Sequence, residues 1–204
     1  MRRTLRVGLL IGGILGYTLV WADEVTDQIE SAKKLYLAKK YSEAVAELRF
    51  ALAQIQSKQA ERLTVIMPEP LRGWKADKAA GQYASAELMG GGMSIHRHYY
   101  VESSDKSVDV EAVTDSPLLQ AAMMWLSSPM FGAMGGSTGK KPIKVEGNKA
   151  MLEFDAEKGT GELQMVVGTK TLVTVKGHGL DSSDVLVEYA KRVNTAKLKE
   201  LVGE

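Results

Sequence analysis

Residues 23–63 contain neither proline nor glycine, and their apolar positions recur at helical steps. A first helix is expected over 25–38, then a turn at Lys39-Lys40-Tyr41-Ser42, with Ser42 as N-cap of a second helix. Along that second helix Val45, Leu48, Leu52 and Ile55 fall at steps of three and four, which is one helical face. Two helices joined by so short a turn lie antiparallel. Pro68 and Pro70 end the helical stretch, because proline lacks the amide donor and restricts its predecessor.

Beyond Gly73-Trp74 the period changes to two. Over 93–102, Ile95, Tyr99 and Val101 alternate with Ser94, His96, His98 and Tyr100, and Arg97 alone interrupts the apolar row. Over 106–114, Val108, Val110 and Ala112 alternate with Asp109 and Glu111. Pairing Ser103 with Lys106 sets Val101 against Val108 and Tyr99 against Val110, so both apolar rows share a face. Ser116-Pro117 starts a helix carrying Leu118, Leu119, Ala122, Met123 and Leu126, and Pro129 stops it. After a loop over 127–141, strands are expected at 143–146, 150–156, 162–168 and 171–176. Their turns are Gly147-Asn148, 158–161 and Thr169-Lys170. Ser182 or Ser183 caps a last helix through Val185, Leu186, Tyr189, Ala190 and Val193, which restarts at Thr195. Consecutive strands with tight turns and two covering helices make an α+β fold: an antiparallel helical hairpin (23–67), then an antiparallel sheet domain (68–204).

The segment before the hairpin changes the picture of where the chain works. Arg2, Arg3 and Arg6 precede an uncharged run over 7–21, and Val20-Trp21-Ala22 offers a small-x-small site. Together these make a secretory signal peptide over 1–22, cleaved after Ala22, and a periplasmic location. The alternative is a leader retained as an anchor, for which the run is short and holds four glycines. The whole chain has 26 basic and 25 acidic residues; without the leader arginines it has 23 against 25, a net −2. Such a balance gives no field for nucleic acid. With no cysteine, the chain has no lipid-anchor site, disulfide, thiolate nucleophile or Cys-based metal site.

The pattern Ala32-x-x-Leu35, Tyr41-x-x-Ala44, Leu48-x-x-Ala51 resembles a single tetratricopeptide repeat. The tryptophan expected early in its first helix is missing, and Gln56 stands at the closing proline. Stacked repeats bury a continuous core only when several are present, so this hairpin needs a partner on its own chain or another. The second module, with its Gly73-Trp74 opening and its order of two strands, helix, four strands and helix, is similar to PsbP-type domains. That resemblance implies an exported accessory module. The combination also resembles a family of uncharacterised exported proteobacterial proteins, which implies no particular activity.

Candidate chemistry is sparse. Residues 135–140 (Gly-Gly-Ser-Thr-Gly-Lys) lack the first glycine and the final hydroxyl of a phosphate-binding loop. No nucleophile, base and orienting partner fall together, so an enzyme is not expected and no cofactor is implied. His96-x-His98 sets two imidazoles about 7 Å apart on one strand face. With nearby methionines (Met89, Met93, Met123, Met124, Met130, Met134) they are the candidate for a zinc- or copper-handling protein, the alternative to a binding module. The loop over 127–141 is long and apolar at Met130, Phe131 and Met134, and basic at Lys140 and Lys141. It is the expected contact region for an envelope protein or a membrane surface.

Overall fold

The computed structural model describes residues 24–84, 92–114 and 140–204, and the fold is α+β, as the sequence pattern implies. Helices α1 (Glu24–Leu37) and α2 (Tyr41–Leu63) form the hairpin, and a short 3-10 turn (Thr64–Ile66) follows. Eight antiparallel strands come next: β1 (Lys75–Ala76), β2 (Ala80–Ala84), β3 (Gly92–Tyr100), β4 (Ser107–Thr114), β5 (Lys141–Val145), β6 (Asn148–Asp155), β7 (Thr160–Val167) and β8 (Thr171–His178). Helices α3 (Asp184–Arg192) and α4 (Thr195–Val202) close the described chain. The strand order is β1-β3-β4-β8-β7-β6-β5, with β2 on the same edge of β3 as β1. Ala76 pairs with Tyr99 and Ala80 with His96, so three edge residues oppose two of β3 and make a bulge. The helix expected to start at Ser116 lies outside the described residues.

One face of the sheet is the core. Ile95, Tyr99, Val108, Val110, Val175, Val173, Leu163 and Met165 are fully buried there beneath Leu186, Tyr189 and Leu198 of α3 and α4. Leu63, Ile66 and Met67 join the same cluster, so the end of α2 belongs to this core. Three aromatic rings lock the junction. Tyr99 and Tyr189 lie 4.4 Å apart, and Trp74 meets Tyr189 edge-on at 5.7 Å. The Tyr99 hydroxyl donates to the Pro68 carbonyl at 2.7 Å.

Turn chemistry moves several boundaries. The β3–β4 pairing is two residues away from the expected one: Tyr99 faces Val108, and the Val101 amide donates to Lys106 at 3.1 Å. A two-residue loop at Ser104-Asp105 would need positive φ at both positions, which glycine or asparagine supplies and this pair does not. A four-residue turn over 102–105 forms instead. A slip of two keeps each side chain on its face, so the apolar rows still coincide. The β5–β6 turn is Glu146-Gly147 rather than Gly147-Asn148, with φ of 47° and 79°, the double positive of a tight hairpin turn. In the helical hairpin, α2 begins at Tyr41 with Lys40 as N-cap, so Ser42 is inside the helix and caps nothing. Lys39 takes φ 61°, and the Lys40 and Lys39 amides donate to Leu35 and Tyr36, which closes the end of α1 as a Schellman motif. Helix α4 starts at Thr195, as expected, with Asn194 as its cap, accepting from the Lys197 amide at 3.0 Å.

Candidate interaction groove

The two hairpin helices meet through small side chains. Val25 and Ala32 of α1 and Ala44 and Ala51 of α2 are buried, the alanines each no more than 3% exposed. Close approach of the backbones leaves the larger apolar residues beside the seam rather than in it. Val45, Leu48, Leu52 and Ile55, expected on one helical face, share it and are exposed; Leu48 keeps 50% and Leu52 53% of its surface. The described residues of the chain's own sheet domain do not bury this apolar stripe of α2. Among the described residues, every exposed large hydrophobic side chain lies between Ile29 and Val65. Ile29, Ala32, Lys33 and Tyr36 of α1 and Tyr41, Ala44, Val45 and Leu48 of α2 line a groove of about 450 Å³. Tyr36 and Tyr41 close one end of it, with ring centroids 5.6 Å apart. Lys33 is the only charged lining residue, and its Nζ reaches Glu30 at 3.4 Å.

The far end of α2 has a different task. Ala60 and Leu63 are buried, and Gly81 of β2 lies so close that a Cβ there would sit 2.1 Å from the Ala60 carbonyl oxygen. The hairpin is thus seated on its own sheet at one end, while its other two-thirds carries the open groove. Arg97 fixes this seat. It stands on the core face between Ile95 and Tyr99, where its guanidinium donates to the Pro68 carbonyl (2.9 Å) and the Asp77 carbonyl (3.0 Å). It also lies 5.5 Å from the Tyr99 ring centre.

The residues singled out from sequence are placed as follows. His96 and His98 point to the polar face of the sheet, where His98 Nδ1 lies 2.7 Å from Asp109 Oδ1 and His96 pairs in register with Glu111. The Glu111 carboxylate accepts from the Ser94 hydroxyl at 2.8 Å. Among the described residues no three His, Asp or Glu side chains gather as a metal site. Met93 packs against the core on the opposite face from the histidines. Met130, Phe131 and Met134 lie outside the described residues. Lys140 pairs with Glu153 at 3.5 Å, and Lys141 is an exposed residue of β5 opposite Leu152 rather than part of a loop. A second concavity of about 450 Å³ lies where Arg72, Trp74, Ser103, Lys106 and Asp181 converge, crossed by the Lys106–Asp181 ion pair. Its walls mix polar and apolar groups, unlike those of the hairpin groove.

Comparison of the chain with protein-family models, curated proteins and solved structures gives no match. Function is therefore argued from the groove itself. The signal that could have located it is the seven-residue spacing of Ala44 and Ala51, which marks where α1 must approach and displaces the neighbouring stripe to the outside.

Proposed function

We propose that this chain is an exported, non-catalytic binding protein of the periplasm whose working surface is the hairpin groove. The observation that carries the reading is that, among the described residues, nine of the ten exposed large apolar side chains lie on the two hairpin helices and five of them line the groove. Contiguous apolar patches on soluble domains mark interaction sites, because leaving them in water opposes stability and solubility. A concave strip between two helices fits an apolar helix of another protein chain, whose side chains can enter the gap between Tyr36, Val45 and Leu48. The basic start, apolar run and Val-Trp-Ala site support export, and Asp23 would then be the first residue, directly before α1. No helix among the described residues is long and apolar enough to cross a membrane.

The test uses cells expressing the chain with its own leader. The periplasmic fraction should contain a protein beginning at Asp23, and in the extract it should elute larger than a monomer. The double substitution Leu48→Glu with Leu52→Glu, at two exposed positions, should elute as a monomer with an unchanged helix signal. An intact Met1 in the membrane pellet would overturn export, and unchanged elution of the variant would overturn the groove.

A further inference from the structure

We propose that the occupant of the hairpin groove is a second copy of this chain, docked about a two-fold axis to complete a four-helix bundle. The inference rests on the groove being a working interface, and it names the partner. The stripe on α2, Tyr41-Val45-Leu48-Leu52-Ile55, steps 4-3-4-3, the heptad spacing of a helix that packs along another helix. It spans about 21 Å, the same length as the 14-residue α1 beside it, at 1.5 Å per residue. Past Ile55 the chain turns polar (Gln56, Ser57, Lys58, Gln59) and α2 passes onto its own sheet at Ala60. The apolar strip therefore stops where the intramolecular contact begins.

The area fits a dimer. The exposed parts of Ile29, Tyr36, Tyr41, Val45, Leu48, Leu52 and Ile55 amount to roughly 700 Å² per copy, taking up to about 200 Å² for a whole large side chain. A symmetric pair that covers all of it buries at most roughly 1,400 Å², against about 1,200–2,000 Å² for stable interfaces. An isologous contact needs a surface complementary to itself, and an apolar strip meeting its own copy satisfies that without a charge pattern. Lys33, the one charged side chain in the groove, has Glu30 on its own helix as counter-ion. Two hairpins joined this way give the antiparallel bundle in which each helix has two neighbours.

The chain, expressed with its own leader and purified, should sediment as a dimer across the micromolar range, and Leu48→Glu should sediment as a monomer with the same helix signal. Because the sequence has no cysteine, Leu48→Cys should form an intermolecular disulfide on mild oxidation, while Ala46→Cys, exposed but outside the groove, should not. A monomeric wild type overturns the proposal, and anilinonaphthalene sulfonate then separates its two causes. Bright dye fluorescence that Leu48→Glu abolishes means an open groove for a different partner, so the binding reading survives and the second copy does not. No dye response means that the chain's own residues cover the groove, and both readings fall.

Discussion

Replacing Arg97 by methionine tests how the hairpin is held to the sheet. Its side chain is only 16% exposed, yet it carries a full charge on the core face of β3. The guanidinium is a fork whose Nε and Nη1 reach two carbonyls from different segments: Asp77 in the edge bulge and Pro68 at the hairpin exit. Methionine keeps most of the aliphatic stem and removes both donors. A hydrogen bond from a charged group contributes about 1.5–3 kcal/mol net. Pro68 keeps the Tyr99 hydroxyl at 2.7 Å, so the loss falls mainly on Asp77. A lost contact with the Tyr99 ring adds about 0.5–2 kcal/mol. Release of a partly desolvated charge offsets part of this. The expected loss is about 2–3 kcal/mol, or about 5–10 °C in melting temperature for a domain of this size. Urea unfolding should show a lower midpoint with an unchanged slope. Hydrogen exchange should quicken at Asn194, whose amide donates to the Ile66 carbonyl beside the hairpin exit. Arg97→Lys should recover part of the loss, since one ammonium cannot span both carbonyls. A change within about 0.5 kcal/mol for Arg97→Met would refute the reasoning, because water would then serve those carbonyls as well as the guanidinium does.

Two other outcomes follow from packing and titration. Gly81→Ala should destabilise by about 1–3 kcal/mol or more, since its Cβ meets the Ala60 backbone rather than a movable side chain; an unchanged urea midpoint would count against the seat of α2 on β2. Burial pushes the Tyr189 phenol up to about 12 and raises that of Tyr99 as well, so in this pH range the folded state holds protons that the unfolded state releases. Their contribution is complete below about pH 10 and falls as pH rises towards 12. Absorbance at 295 nm should show Tyr99 and Tyr189, among seven tyrosines, ionising only with unfolding, and Tyr189→Phe should delay that unfolding.

The sheet was legible in the sequence because period-two alternation survives small errors of register. The β3–β4 pairing lies two residues from the expected one, yet Ile95, Tyr99, Val108 and Val110 remain on one face, since faces repeat every two residues. Arg97 looked like a defect in the apolar row. Its reason appears only when the bulge at 77–79 and the hairpin exit come within reach of one side chain. The α2 stripe was legible as apolar but not as exposed. Periodicity shows which residues share a face, whereas burial depends on what else arrives there. In the hairpin the alanines take the α1 contact and leave Val45, Leu48 and Leu52 outside. The His96/His98 pair shows the converse. Alternation alone puts both imidazoles on the polar face, and the register sets Asp109 beside His98, making a neighbouring pair across two strands.

The central claim, that the hairpin groove is a working interface, is tested most directly inside the cell. A photoreactive phenylalanine analogue placed at position 48, with a second chain carrying it at 46, can be irradiated in cells exporting the protein. The account predicts a discrete protein adduct from position 48 in the periplasmic fraction and none from position 46. Equal adducts at both positions, or none at 48, would contradict it.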